Sequence, residues 1–375
     1  MLGSPQTPSP LVDYALDGLR RCWMPETGRY SHRYRFDIEP ANESIPASDI
    51  FYTLNVLLGF SRLPEPVIRT NVDAAAVFER CCRAAESAPL RVYGYGMALW
   101  AGAAYGIAPS GPLADRVRAT LADDDALSRL TAQDLGILIA GLCAQSAASA
   151  EWRLAADRTV TILRDRYHEP ASRLFYNQPR GLRRSFSSFA SQVYPLLALY
   201  RYGETFAQDW AIALADAAAA SLIALQGPRG EWGWFYYVPQ GRVVDFYEVY
   251  SVHQHSMAPA FLHHAVQHGV AGARQALVKG FKWLFGDNQM GVSMLRPTER
   301  LFYRSQVRQG EPDSAWRRGV RSVANAVLHR SDTVERHTGL ALRRECRSYE
   351  LGWILWSFGG RTDYPELTQR PEFSV

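Results

Sequence analysis

The chain has 375 residues, of which 47% are hydrophobic, 21% charged and 12% aromatic, and its formal net charge is +4. This balance predicts a globular protein with a sizeable core and excludes a chain that is disordered along its length. Because the charge is mild and the Arg and Lys residues are dispersed, we expect no nucleic-acid partner.

Neither the N-terminus nor the cysteines indicate export. The chain begins MLGSPQTPSPLVDYAL, without a basic region followed by an apolar run, and it contains no stretch of about 18 apolar residues. The five cysteines are odd in number and form no CxxC pair, which favours reduced core residues over disulfides or a zinc site. We therefore expect a cytoplasmic protein with no membrane span and no cofactor.

Helical periodicity predicts two kinds of helix that alternate along the chain. The first kind is amphipathic and is predicted at 9–24, 72–87, 112–121, 151–166, 208–225 and 271–285. The second kind is apolar nearly all round, is rich in Gly, Ala and Ser, and is predicted at 47–63, 93–107, 133–147, 186–202, 250–267 and 347–358. Helices that are packed on both sides should be apolar around their circumference. The alternation predicts an all-α fold, an (α/α)6 toroid of six helical hairpins in outer and inner rings, as one domain over 1–375.

The connections between these helices show a second regularity. Most loops from an amphipathic to an apolar helix are long and aromatic, whereas most returns are short. Four long loops carry a similar strand-like piece: GRYSHRY (28–34), RLFYNQ (173–178), EWGWFYYV (231–238) and RLFYRSQ (300–306). The recurrence predicts short β-hairpins at one end of the toroid, where the functional loops then lie. The longest connection, 287–346, is predicted to be an insertion with an extra helix near 314–329.

In architecture the whole chain resembles the six-hairpin toroid superfamilies. These are the six-hairpin glycosidases with related sugar epimerases and polysaccharide lyases, and the squalene-cyclase and prenyltransferase group. One motif is specific: Gln226, Gly230 and Trp232 in QGPRGEW match the Q-x3-G-x-W of the squalene-cyclase group at the end of an outer helix. In that group the motif ties a helix end to the next hairpin, so the resemblance implies the fold more than the chemistry.

The catalytic signature of those cyclases, a D-x-D-D cluster, is absent. The nearest string, ADDDA around 123–125, has the wrong spacing and is expected to cap a helix. The Asp, Cys and His zinc set of the protein prenyltransferases is not found either. The toroid of the sugar enzymes often carries aromatic loop strands like those above, which favours a carbohydrate substrate.

The densest polar segment is GRVVDFYEVYSVHQHSMAP, residues 241–259, which leads into the fifth inner helix. In a toroid this junction opens into the central pocket. So many titratable groups beside bulky aromatic residues are costly to bury for packing alone, and we predict catalytic residues here. They are Asp245, Glu248, Tyr250, His253 and His255. The two histidines diverge on a helix, which disfavours a metal pair and favours a general base or a sugar contact.

Other inner helices begin with comparable groups. These are Asp49, Asp134, Gln192, Tyr194, Tyr349 and Glu350, of which Asp134 is expected to be an N-cap. If the ring closes, the groups converge on its axis, and glycoside hydrolysis requires paired carboxylates. The preferred acid and base are Glu248 and Asp49, with Glu350 next.

Aromatic and basic side chains of the same loops are the predicted substrate contacts. Flat aromatic faces stack on sugar rings, and they also suit the walls around a polyene. The predicted aromatic and amide contacts are Tyr176, Gln192, Tyr194, Trp232, Trp234, Tyr236, Tyr247, Tyr303 and Tyr349. The arginines that suit a carboxylate or diphosphate are Arg173, Arg180, Arg183, Arg184, Arg242, Arg300 and Arg304, with Arg242 preferred.

These residues favour a carbohydrate-active enzyme that acts on a glycan or glycoconjugate, including a uronic-acid-containing one. Hydrolysis by two carboxylates and lyase or C5-epimerase action by Tyr and His are both open. One alternative is a terpene-cyclase-like enzyme, which predicts a deep apolar cavity with one isolated acid. Another is a non-catalytic glycan-binding toroid. The sugar interpretation predicts an open cleft with several polar groups, for a small-molecule or oligosaccharide substrate of anionic character.

Overall fold

The protein is a double ring of helices. The computed structural model describes residues 8–109, 111–309, 315–332 and 339–374. The outer helices are α1 (Pro10–Cys22), α4 (Ala74–Ser87), α6 (Gly111–Ala122), α9 (Ala150–Ile162), α11 (Asp209–Ala224) and α13 (Ala273–Lys282). The inner helices are α2 (Pro46–Phe60), α5 (Val92–Ala104), α8 (Ala132–Gln145), α10 (Ala190–Phe206), α12 (Ala258–Gln267) and α15 (Ser348–Phe358). The remaining helices are α3 (Glu65–Asn71), α7 (Asp124–Arg129), α14 (Ala315–Val327) and α16 (Pro365–Thr368).

The inner ring closes on itself. Each inner helix packs against the next, and the last, α15, packs against the first, α2. Small residues make this approach possible: a Cβ atom on Gly59 of α2 would lie 2.2 Å from the carbonyl oxygen of Gly352 in α15. A Cβ atom on Gly136 of α8 would lie 2.5 Å from the carbonyl carbon of Tyr194 in α10. The prediction of an (α/α)6 toroid with two classes of helix is confirmed.

Several helices begin at polar caps. Ser9 accepts a hydrogen bond from the backbone N–H of Val12, and Asp73 accepts one from that of Ala76 at 3.1 Å. Asp123, in the ADDDA string, caps α7 in the same way, as its sequence context predicts. Each such cap satisfies a backbone donor that the helix itself leaves open, and is worth about 1 kcal/mol.

Short antiparallel strands occupy the connections that lead into inner helices. Strand β1 (Trp23–Met24) pairs with β2 (Arg29–Tyr30), and β9 (Leu295–Arg296) pairs with β10 (Leu301–Phe302). A first three-stranded sheet has the order β13-β3-β4, with β3 (Arg33–Arg35), β4 (Asn42–Glu43) and β13 (Glu345–Cys346). A second has the order β5-β6-β7, with β5 (Phe186–Ser188), β6 (Phe235–Tyr237) and β7 (Arg242–Asp245). A third has the order β12-β11-β8, with β8 (Val249–Tyr250), β11 (Ser305–Arg308) and β12 (Leu340–Arg343).

The long connection carries strands and one helix. Helix α14 lies where the sequence predicts it, although the predicted first residue, Ser314, is outside the described residues. No helix in the described ranges is long and apolar enough to cross a bilayer.

The Q-x3-G-x-W motif holds two hairpins together. The side-chain amide of Gln226, after α11, donates to the carbonyl of Gly230 at 2.8 Å and to that of Ala276 in α13 at 2.9 Å. Trp232 is fully buried, and its ring packs against that of Phe189. The motif therefore has the structural role that the resemblance implies.

Candidate functional site

A cavity of about 390 Å³ lies at the end of the toroid where the inner helices begin. All six inner helices contribute to its wall through their first turn or the residues just before it. The lining residues are Ser48, Phe51, Tyr52, Arg91, Tyr93, Thr131, Gln133, Asp134, Ala190, Tyr194, Trp234, Tyr250, His253, Met257, Arg304 and Tyr349. Helix N-termini carry partial positive charge, and two arginines add full charges. The cavity is therefore suited to an anionic ligand.

His253 stands in an aromatic cage at the cavity wall and is only 3% exposed. Its ring centroid lies 4.4 Å from that of Phe189, 5.1 Å from that of Tyr250 and 6.0 Å from that of Trp234, whose plane is within 7° of its own. Its Nδ1 is buried and has no hydrogen-bond partner among the residues that the structure describes. Burial lowers the pKa of His253 well below its usual range, and the charge of Arg304 lowers it further. The imidazole is thus neutral at pH 7 and can accept a proton.

Arg304 reaches the cavity from the position just before β11 and is fixed by carboxylates. Its Nη1 donates to Oε1 of Glu350 at 2.8 Å, and its Nε lies 3.4 Å from Oε1 of Glu345. The guanidinium carbon lies 4.8 Å from the ring centroid of Tyr250. Two carboxylates hold this cation in one orientation, which leaves its remaining donors for a ligand.

Glu350 and His255 form a buried layer beneath Arg304. Burial raises the pKa of Glu350 to about 8, although Arg304 and Arg347 lower it. Burial also lowers the pKa of His255 to about 3. Oε2 of Glu350 lies 4.0 Å from Nε2 of His255, and neither atom has a hydrogen-bond partner among the described residues. Burial therefore disfavours the charged form of both groups, and in Glu350 the charge of Arg304 opposes this effect.

Tyrosines form much of the remaining wall. The rings of Tyr52 and Tyr349 lie 4.6 Å apart at 36°, and Tyr52 also stacks on His32 at 5.1 Å. Tyr93 meets Phe51 edge-on at 4.7 Å. Such faces, with hydroxyl groups at their edges, provide both stacking and hydrogen bonding to a sugar.

Asp134 is the one carboxylate among the described residues that line the cavity. Its Oδ2 accepts hydrogen bonds from the backbone N–H of Thr131 at 2.8 Å and from the hydroxyl of Thr131 at 2.6 Å. The two residues form a capping box at the start of α8. The expected N-cap function of Asp134 therefore coincides with a position at the cavity wall.

The structure brings five of the predicted site residues to the cavity. They are Tyr194, Trp234, Tyr250, His253 and Tyr349. Arg304, one of the loop arginines named from the sequence, joins them. Their catalytic and binding functions remain predictions.

The predicted carboxylates lie outside the cavity lining. Oε1 of Glu248 is 3.0 Å from Nη2 of Arg343 and 3.3 Å from Nη1 of Arg318, so it joins β12 and α14 to the segment that precedes β8. Oδ1 of Asp245 pairs with Nη1 of Arg308 at 2.8 Å.

Asp49 is also outside the lining. It is fully buried and accepts a hydrogen bond from the hydroxyl of Ser44. Burial raises its pKa. These positions bring no two of the preferred carboxylates together in the cavity. Within the described part of the chain, no three His, Cys, Asp or Glu side chains are arranged to hold a metal ion.

Several predicted contact residues serve local structure instead of lining the cavity. Trp232, Tyr236 and Tyr247 are buried in the core. The side-chain amide of Gln192 donates to the carbonyl of Phe175 at 2.7 Å.

The other predicted contacts lie in loops outside the lining. The hydroxyl of Tyr176 donates to Glu169. Arg242 donates to the side chain of Gln240, and Nη1 of Arg296 donates to the hydroxyl of Tyr303 at 3.0 Å.

Sequence reasoning missed the residues at the start of the second and third inner helices. Arg91 and Tyr93 flank the first residue of α5, and Gln133 stands in the first turn of α8. Ser48 and Tyr52 of α2 were also not named. The first turn of each predicted inner helix is the signal that identifies such residues, since the toroid directs all these turns to one end.

The chain is similar to solved structures of carbohydrate-processing proteins. A sugar epimerase from a ruminal bacterium shares 10% identity at a TM-score of 0.59, over 93% of this chain and 96% of that one. An unsaturated glucuronyl hydrolase from Bacillus sp. GL1 shares 12% identity at 0.56, over 92% and 94%. A polysaccharide lyase shares 12% identity at 0.53, over 92% and 95%. At these identities the likeness shows the fold, and it confirms the toroid resemblance predicted from the sequence.

Comparison with protein-family models gave no match, and comparison with curated proteins gave none either.

Proposed function

We propose that this protein is a carbohydrate-active enzyme that acts on an acidic glycan or glycoconjugate by removing a proton next to a sugar carboxylate. The observation that carries the proposal is the cluster of His253, Tyr250 and Arg304 in one aromatic cavity. The fold supports it, because the similar structures include proteins described as a polysaccharide lyase, a sugar epimerase and an unsaturated glucuronyl hydrolase.

The cluster provides the groups that this reaction needs. Arg304 pairs with the carboxylate of the substrate and stabilises the negative charge that develops when the adjacent carbon loses its proton. His253, neutral because it is buried, accepts that proton. Tyr250 lies between the two and orients the sugar or passes a proton.

Two outcomes follow from the same first step. In elimination, the electron pair of the broken C5–H bond forms a C4–C5 double bond, the C4–O bond breaks, and the leaving oxygen takes a proton. In epimerisation, a proton returns to C5 from the opposite face and no other bond changes.

Hydrolysis by two carboxylates has less support from the cavity. The mechanism requires a general acid and a second carboxylate on either side of the glycosidic bond. Among the described lining residues, Asp134 is the single carboxylate, and Thr131 already occupies its Oδ2. Glu248, the acid or base preferred from the sequence, forms ion pairs with Arg318 and Arg343.

The cavity also disfavours the prenyl-cyclase alternative. A cyclase needs a deep, mainly apolar chamber with one isolated acid, whereas this wall contains Arg91, Gln133, Asp134, His253 and Arg304. Several polar groups in an open cleft match the expectation for a sugar.

The test is an isotope experiment in deuterated water. The purified full chain is incubated with oligosaccharides that contain glucuronate, galacturonate or iduronate, and with neutral glycans as controls. Deuterium at C5 with inversion indicates epimerisation, and ultraviolet absorbance of a new C4–C5 double bond indicates elimination. If new reducing ends form without deuterium at C5 and without absorbance of a C4–C5 double bond, the reaction is hydrolysis and the proposed proton removal is wrong. Thermal stabilisation by prenyl diphosphates alone, with no glycan effect, overturns the carbohydrate proposal.

A further inference from the structure

Helix α14 directs polar side chains towards the body of the protein. Nη1 of Arg318 reaches Oε1 of Glu248 at 3.3 Å, and the side-chain amide of Asn325 donates to the carbonyl of Val244 at 2.9 Å. Ser322, on the same side, is 4% exposed. The underside of this helix is thus attached mainly by hydrogen bonds and an ion pair.

The opposite face of α14 and its C-terminal extension is apolar and exposed to solvent. Val320, Val323, Val327 and Leu328 are 59%, 48%, 69% and 56% exposed. Their spacing of three, four and one residues places them along one side of a helix. A helix normally buries such a stripe against the protein. An exposed apolar stripe is typical of a surface that contacts another protein or a membrane.

A further exposed apolar residue lies across the β6–β7 turn from this stripe. Leu182 is 99% exposed at the tip of the loop that precedes β5. The loop and α14 are joined through the β6–β7 turn, where the N–H of Val238 donates to the carbonyl of Ser185 at 2.9 Å. On the other side of that turn, the side chains of Gln240 and His329 are hydrogen bonded at 3.0 Å. The two exposed elements therefore flank one β-turn.

Positive charge borders these apolar residues. Residues 315–331 contain neither Asp nor Glu, and Arg330 is exposed just after the stripe. Arg183 and Arg330 are exposed and form no ion pair within the described part of the chain. A neighbouring carboxylate, that of Asp332, is bound by Arg308 at 2.9 Å, so it does not cancel their charge.

We propose that this docking face, made of Leu182, Val320, Val323, Val327 and Leu328 with Arg183 and Arg330 at its border, binds the surface of an anionic lipid bilayer. An amphipathic helix with an apolar stripe and a basic border lies in the headgroup region of such a membrane. A second copy of the chain fits less well, because one short stripe and one loop tip offer far less than the roughly 800 Å² per partner that a stable interface buries. The proposal is independent of the proposed enzymatic activity.

The test is co-sedimentation of the full chain with vesicles. Vesicles of phosphatidylcholine alone are compared with vesicles that also contain phosphatidylserine. We expect binding to the anionic vesicles, weakened by salt, and a loss of about tenfold or more in the double variant Val323→Glu/Val327→Glu. The variant Arg183→Glu/Arg330→Glu should lose about as much on anionic vesicles. The matched control is Leu154→Glu, since Leu154 is 69% exposed on outer helix α9.

Thermal midpoints and circular dichroism establish that the variants fold. Absence of binding to any vesicle by the folded wild-type chain overturns the proposal. An equal loss of vesicle binding in Leu154→Glu also overturns the proposal, because a negative charge added anywhere on the surface would then explain the weaker binding. A dimer in light scattering that Val323→Glu/Val327→Glu dissociates, without vesicle binding, assigns the face to a second copy instead.

Discussion

The guanidinium of Arg304 and the carboxylate of Glu350 meet at 2.8 Å directly under the cavity wall. The carboxyl group of Glu350 is fully buried and the arginine side chain is 13% exposed, so the pair places a cation at a fixed point of the cavity wall. A cation fixed in this way needs little reorganisation to bind an anionic sugar.

Removal of the Arg304 charge should therefore weaken the processing of acidic substrates. We expect Arg304→Gln to lower kcat/KM for uronate-containing oligosaccharides by about 10- to 100-fold, since a hydrogen bond to a charged group is worth about 1.5–3 kcal/mol. Arg304→Lys should recover part of this loss, because it restores charge without the planar fork. Steady-state kinetics on acidic and neutral glycans measure the effect. The same loss on both substrates would contradict a role in carboxylate binding.

His253 should set the acidic limb of the pH–rate profile. Its pKa is lowered by burial, so the basic form persists as the pH falls below 6.5, and the limb should lie below that value. His253→Asn should reduce kcat by about 10²- to 10⁴-fold, the usual contribution of a general base. The exposed His329 provides a control, and His329→Asn should leave the profile unchanged. An acidic limb that survives in His253→Asn would assign the base to another group.

Glu350 should make the fold less stable as the pH rises. Its pKa in the folded protein is about 8, above the ordinary 4.5, so between these values the folded state holds a proton that the unfolded state has released. The contribution of Glu350 is therefore fully present below about pH 4.5 and is lost as the pH passes through 8.

Denaturant unfolding at a series of pH values measures this loss. The difference in unfolding free energy between wild type and Glu350→Gln should decrease with pH by an amount on the order of a few kcal/mol. The exposed Glu86 serves as the control site, with Glu86→Gln expected to show a flat difference. A flat difference for Glu350→Gln as well would mean that Arg304 keeps Glu350 ionised throughout.

The sequence predicts the helical rings better than the site, because the rings depend on local apolar patterns and the site depends on contacts between residues that are distant in the chain. The two helix classes are visible locally, since packing on one side or on both sides dictates the distribution of apolar residues along each helix. The partners of Glu248 are not local: Arg318 in α14 and Arg343 in β12 lie 70 and 95 positions later in the chain. The sequence near Glu248 does not distinguish a carboxylate that pairs with distant arginines from one that faces a substrate.

His253 shows the opposite case. The segment that contains it is recognisable because titratable and aromatic side chains are concentrated there, and the structure places His253 at the cavity wall. His255, two residues later, points into the layer beneath Arg304, where its ring packs at 4.6 Å from that of Phe302. The helical turn at 253–257 places His253, and not His255, at the cavity wall.

The closure of the ring between α2 and α15 should depend on Gly59. A methyl group there would lie 2.2 Å from the carbonyl oxygen of Gly352. To remove this clash the two helix backbones must move apart, which costs more than the rotation of a flexible side chain. We expect Gly59→Ala to lower the free energy of unfolding by about 3 kcal/mol, at the upper end of the cost of overpacking. Gly319→Ala is the matched control, because no atom of the described residues lies within 4 Å of its added Cβ and Gly319 is itself exposed on α14, so the variant should be slightly stabilised or neutral. Chemical denaturation of both variants measures the difference, and equal stability of Gly59→Ala and wild type would show that the inner ring can separate at this seam without cost.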